Sequence, residues 1–205
     1  MILTKSTRFL IVAAAFCSVA TASDVFNFDS DSLGTSTTFT DTVNGLSATF
    51  SSTADPGGFV VYGSIFDALT GNVLGDPGPA STNGVDLSIA LSNNLSAIAL
   101  NFATADFGAA SPLTITAYEN TTEVGSATAT GTVPGGFTFP EGEVALSGKT
   151  FNNIVVSSSA PDFAVDDISA TVAPEPAVCG LLGLGLLALG SPAVYRKSRR
   201  AATAK

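Results

Sequence analysis

The sequence predicts an all-β protein: a single antiparallel β-sandwich of jelly-roll kind, set between an N-terminal signal peptide and a C-terminal transmembrane helix. Three observations predict it. Apolar residues recur at a spacing of two in many short runs, turn-forming pairs stand between the runs, and each end of the chain carries an apolar segment flanked by basic residues. No stretch of the interior shows helical periodicity.

Residues 1–22 have the three parts of a secretory signal peptide. Lys5 and Arg8 form the charged region, Phe9 to Phe16 the apolar region, and Ala20-Thr21-Ala22 the small-residue cleavage site, so cleavage is expected after Ala22. Phe16 is too bulky for the position before a lipoprotein cysteine, so Cys17 reads as an apolar filler.

Residues 23–173 then form one domain, the exported cargo. Its first strands are expected at Val25 to Phe28, Thr37 to Thr42, Leu46 to Ser51 and Gly58 to Tyr62. Leu87, Ile89 and Leu91 mark one later strand, and Ile98, Leu100 and Phe102 another. Leu113 to Ala117, Glu123 to Thr130, Phe137 to Phe139, Phe151 to Ser157 and Phe163 to Val172 complete the set. Asn44-Gly45, Pro56-Gly57-Gly58, Asp76-Pro77-Gly78, Asn83-Gly84 and Pro134-Gly135-Gly136 are the turns. Gly63 to Gly84 lacks a pattern and is expected as a long loop. Its Asp67, Asn72, Asp76 and Asn83 do not have the spacing of a known calcium loop and read as turn formers.

The last strand contains an anomaly. Phe163 and Val165 share one parity, and Ile168, Ala170 and Val172 share the other. Both sets face the core only if one residue is inserted between them, which predicts a β-bulge at Asp166-Asp167 and a carboxylate aimed out of the normal alternation.

Charge and residue inventory exclude several functions. Of the 17 acidic residues of the chain only Glu175 lies outside 23–173, and of the 8 basic ones only Lys149 lies inside, so the domain carries a formal charge of −15. Such a surface repels nucleic acid and anionic lipid. The chain has no histidine and the domain no cysteine, which removes Ser-His-Asp and Cys-His catalysis, imidazole or thiolate zinc sites, and disulfides. The carboxylate pairs Glu141/Glu143 and Glu119/Glu123 have no spacing that sets them across a sugar, and there is no tryptophan to serve as a platform. The chain therefore reads as a non-enzyme. Tyr118, Asn93-Asn94 and Asn152-Asn153 could furnish a shallow sugar-binding patch. The Thr-rich stretch Thr35 to Thr42 raises ice binding, for which one short run does not supply a regular array.

The C-terminal segment, 174–200, has a fixed order: Pro174-Glu175-Pro176, an apolar span over 177–195, and the basic end 196–200 with Arg196, Lys197, Arg199 and Arg200, before a tail at 201–205. A helix over the span would run about 28 Å, enough to cross a bilayer core. The prolines break it on one side, and the basic cluster holds the other side in the cytoplasm, leaving the domain outside.

On these residues the segment resembles the PEP-CTERM sorting signal of bacterial surface proteins. The resemblance implies recognition by an exosortase-type membrane enzyme, cutting near Pro174-Glu175-Pro176 and delivery to the cell surface, with passage through the inner membrane. Ser191-Pro192 inside the span and Cys179 just after the motif depart from the simplest pattern. A second resemblance joins the closing strand Phe163-Ala164-Val165-Asp166-Asp167-Ile168 and the early Phe26-Asn27-Phe28-Asp29 to carbohydrate-binding-module jelly rolls. It implies a structural calcium held by Asp166 or Asp167 with Asp29.

The expected function is an exported cell-surface or extracellular-matrix protein with a structural or adhesive role. The alternative is a carbohydrate-binding module acting on extracellular polysaccharide, with an ice-binding protein and a glycoside hydrolase behind it. The expected partners are the processing enzyme, the membrane in transit and extracellular polysaccharide.

Overall fold

A computed structural model describes residues 23–52, 58–76, 85–105 and 111–174. The expected signal peptide and membrane span fall outside them. Among the described residues all regular structure is β, and no helix is long and apolar enough to cross a membrane. Residues 21–174 group as one compact unit.

The strands are β1 (Ser23–Phe26), β2 (Phe39–Val43), β3 (Leu46–Ser52), β4 (Val60–Gly63), β5 (Asn72–Gly75), β6 (Leu87–Thr104), β7 (Pro112–Glu119), β8 (Thr122–Thr130), β9 (Glu141–Ser158) and β10 (Phe163–Val172). Every strand pairing is antiparallel. The two longest strands, β6 and β9, run side by side through the whole domain and divide it into two parts. Their Leu87–Ala90 and Asn153–Val156 halves continue outward through β3 and β2 on one side and β7 and β8 on the other. Their other halves, at 97–103 and 141–147, extend instead to β10, which pairs further with β1 and with the β5–β4 hairpin.

Alternation explains which side of each part is buried. Leu46, Ala48 and Phe50 of β3, Leu113, Ile115 and Ala117 of β7, and Leu100, Phe102, Val165 and Ile168 from the other part all enter one apolar cluster. The inner faces of both parts thus share one core. Phe26, Phe28, Phe39 and Phe50 interlock within it, with Phe28 and Phe50 ring centroids 5.2 Å apart and Phe39 stacked on Phe50 at 5.1 Å. Each fully buried phenylalanine contributes about 2 to 3 kcal/mol, so a cysteine-free domain can hold together on aromatic packing. Asn44 and Gly45 both have positive φ, 50° and 88°, as the two-residue β2–β3 hairpin expected at this pair requires.

Three expectations are corrected. The loop expected over 63–84 contains β5, whose Val73, Leu74 and Gly75 are all buried and so carry no alternation to read. Leu87–Leu91 and Ile98–Phe102 are parts of one strand, because β6 changes inward parity through register shifts around Leu95 without breaking. Phe137 to Phe139 is a turn region, where the Phe137 amide donates to Pro134 O at 3.1 Å, and the next strand starts at Glu141, before the expected Phe151.

Candidate functional site

The chemistry gathers on the outer face of β9, β6 and β10. Alternation points Glu141, Glu143 and Ala145 of β9 and Ala99, Asn101 and Ala103 of β6 away from the main core. Cross-strand register sets Asn101 directly between Glu143 and Asp166.

The bulge expected in β10 is present. Asp166 pairs with Asn101 and Ser169 with Ala99, so Asp167 and Ile168 together oppose Leu100. Asp167 takes the extra position at φ 47°, in the left-handed region that aspartate tolerates better than most residues. This insertion returns Ile168 and Ala170 to the core and keeps both neighbouring carboxylates out of it.

The two acids then meet different surroundings. The segment from Ser64 to Asn72 folds over half of the outer face and builds a small second core from Leu69, Val73, Ala103 and Ala164. Carboxylates hold this segment by its backbone amides. Glu141, 5% exposed, accepts from Asp67 N at 3.0 Å and Ala68 N at 2.6 Å, and Asp29 Oδ1 accepts from Asn72 N at 2.9 Å. Asp166, 1% exposed, accepts from its neighbour Asp167 N at 2.8 Å and from the Thr70 amide. Burial above all, with the charges of Asp167 and Asp29 beside it, pushes the Asp166 carboxyl up to about 7 against the lowering effect of those two amides.

Asp167 lies outside the covered half. Asn101 Nδ2 donates to its Oδ2 at 3.2 Å. Beside this pair runs an open groove of about 410 Å³, lined by Val25, Leu100, Asn101, Glu143, Asp167 and Ser169, with Ala99 at its floor. Val25 supplies an apolar wall and is 42% exposed. The groove offers two carboxylates, an amide and a hydroxyl around an apolar strip, a set suited to binding hydroxyl groups.

Of the residues nominated for calcium, Asp167 and Asp29 both lie close enough to Asp166 for their charges to act on it, and Asp167 also accepts from Asn101. Among the described residues no three His, Cys, Asp or Glu side chains converge in a way that could hold a metal ion. A further acidic group lies around the β4–β5 hairpin. Burial, then the charges of Asp162 and Asp76, push the Tyr62 phenol up to about 12, and Asp162 Oδ1 is buried without a hydrogen-bond partner.

Just before the expected sorting motif, the Ala173 amide donates to Asn94 O at 2.8 Å, and Pro174 is exposed immediately after it. Glu175, Pro176, Arg196, Lys197, Arg199 and Arg200 fall outside the described residues. Glu119 and Glu123 stand exposed at the β7–β8 hairpin, and of the Glu141/Glu143 pair only Glu143 reaches the groove. Sequence reasoning found the bulge but missed the groove around it. Asn101 and Ser169 carry no motif, and only the register across β6 brings Glu143 to Asp167.

No family model matches the chain, and no curated protein does. Solved structures match in part. A Clostridium thermocellum xylanase fragment with CBM22-1 and GH10 modules, complexed with xylohexaose, aligns with a TM-score of 0.39 at 15% identity, over 75% of this chain and 28% of that one. The enzymatically active domain of tailspike protein 4 of bacteriophage CBA120 aligns at 0.38 and 13%, over 61% of this chain and 19% of that one. The catalytic domain of a GH87 alpha-1,3-glucanase aligns at 0.35 and 11%, over 71% and 30%. This chain spans less than a third of each.

Proposed function

We propose that the chain is an exported, jelly-roll-like β-domain delivered by its C-terminal signal to the cell surface or extracellular matrix, where it is a structural or adhesive component and not an enzyme. One observation carries this reading. β10 closes at Val172, and Ala173 and Pro174 follow it outside any strand, so a cut near Pro174-Glu175-Pro176 leaves the closing strand whole. Ser23, which follows the expected cut after Ala22, pairs with Thr171, and the Ser23 Oγ to Ser169 Oγ contact of 2.5 Å fastens the pair, so the residues on the domain side of the two expected cuts are neighbours. The experiment is fractionation in the native host with and without its exosortase-type enzyme. The reading expects release to the surface or matrix with the enzyme and retention in the inner membrane without it. Identical distribution in the two strains contradicts it.

Polysaccharide binding is the second reading, favoured by the groove beside Asp167. Retention on the host's own polysaccharide, competed by free sugar and lowered about tenfold or more by Asn101→Ala or Asp167→Asn, is the expected result. Unchanged retention in both variants removes the groove from consideration.

A further inference from the structure

The part of the domain that turns away from the groove carries a different surface. Its strands lie in the order β2, β3, β6, β9, β7, β8, and cross-strand register aligns their outward residues in rows. One row reads Thr40, Thr49, Ala90, Asn153 and Tyr118. The next reads Ser51, Ser88, Val155, Thr116 and Ser126. Six strands at the usual spacing make this face about 24 Å wide.

Two observations set the face apart. Across β2, β3, β6, β9 and β7 neither row contains a charged residue, although the domain has a formal charge of −15; the β8 place of the first row, opposite Tyr118, is taken by Glu123 at the rim. Its hydroxyls are also paired in place. Thr40 Oγ1 meets Thr49 Oγ1 at 2.8 Å, Thr42 Oγ1 meets Ser47 Oγ at 2.8 Å, and Thr114 Oγ1 meets Thr128 Oγ1 at 2.9 Å, while Ser88 Oγ donates to Asn153 Oδ1 at 3.4 Å. A hydroxyl already held by a neighbour loses little rotamer freedom when a ligand arrives.

We propose that this face is a docking surface for an uncharged polysaccharide in packed, insoluble form. The charge pattern selects the partner. An anionic polymer is repelled by Glu123 and the other acids around the rim and finds no cation in the rows, whereas over β2 to β7 a neutral polymer meets hydroxyl, amide and methyl groups and the one ring of Tyr118. The width selects the packed form. A single sugar chain is held in a groove or on an aromatic platform, and here the rows contain only one aromatic ring, Tyr118. A broad array of aligned rows meets a packed array of polymer hydroxyls through many weak, repeated contacts. This proposal is separate from the groove and from the sorting signal, and each can fail without the others.

The test is retention of the full chain, purified from its host, on microcrystalline cellulose, with calcium alginate gel as the charged comparison. The expected result is retention on cellulose and little on alginate. Ser88→Glu and Thr116→Glu place a charge in the middle of the face and are expected to lower retention at least tenfold. Thr40→Glu and Thr128→Glu, at exposed positions that folding tolerates, should act in the same direction, while Val133→Ser, exposed in the β8–β9 connection, should change nothing. Failure of the wild type to bind cellulose overturns the proposal. So does retention that all four face variants keep; if Glu143→Gln then removes it, the polymer belongs to the groove. Inhibition of ice growth by the wild type without cellulose retention, lost in the same face variants, overturns it in favour of an ice surface.

Discussion

Asp166 is the residue whose position is hardest to maintain: a carboxyl 1% exposed, close to two other acids, compensated by two backbone amides. Its folded value of about 7 stands above its ordinary 3.8. The native state therefore holds the proton over a range where the unfolded chain has lost it. Stability from this group is complete below the unfolded value and is lost as pH rises toward 7, by at most about 4 kcal/mol. In calcium-free buffer the melting temperature should fall between pH 5 and pH 8. Asp166→Asn keeps an oxygen for the amides and should flatten that fall, leaving the variant more stable than the wild type at pH 8 by about 1 to 3 kcal/mol. A bound calcium reverses the sign: with millimolar calcium at pH 8 the wild type would melt above the variant. Equal melting with and without calcium disposes of the calcium expectation. Gly71 gives an independent probe of the same corner. It has φ 73°, and a Cβ there would lie 1.9 Å from Asp29 Oδ1. Gly71→Ala should destabilise by about 2 kcal/mol or more in urea titration; an unchanged midpoint would mean that the segment is not held against Asp29.

At the scale of elements, the bulge in β10 decides which residues form the site. Deleting Asp167 restores uninterrupted alternation and drives Ile168 and Ala170 outward, so that variant should fail to fold cooperatively. Asp167→Gly keeps the insertion and suits φ 47°, so its urea midpoint should correspond to a change within about 1 kcal/mol. Equal stability of the deletion and the wild type would show that the register does not depend on the extra residue. The same logic separates what could be read in the sequence from what could not. β2, β3, β7 and β8 each have one wetter face, so alternation reveals them, and in β10 the parity of Phe163 and Val165 against Ile168 and Ala170 reveals the bulge itself. β5 is buried without alternation and is hidden for that reason. β6 changes its inward parity midway and so reads as two fragments of one continuous strand, while in β9 Phe151 stands out of step with Val144, Leu146, Ile154 and Val156, and only the half from Phe151 is read. The candidate site suffers more than the fold does. Asp29, Asp166 and Asp167 are visible as acids at the ends of strands, but Asn101, Glu143 and Ser169 become neighbours only through pairing between segments far apart in the chain. The hydroxyl rows depend on six strands being aligned at once, and one Thr-rich stretch shows a single edge of them.

For the molecule as a whole, the account joins an acidic domain held by a phenylalanine-rich core to two end segments that are expected to be removed. The absence of histidine and of domain cysteine removes imidazole and thiolate chemistry from the domain, and the outer groove and the hydroxyl face offer carboxylate, amide and hydroxyl groups instead. Everything about its destination turns on whether the ends are cut. The decisive measurement is the intact mass of the protein recovered from its native host, beside a variant with Pro174, Glu175 and Pro176 all changed to alanine. The account predicts that the wild type begins at Ser23 and ends close to Pro174-Glu175-Pro176, and that the variant keeps its C-terminal segment and stays in the inner membrane. A wild-type mass that still includes the span and Arg196, Lys197, Arg199 and Arg200 would contradict it.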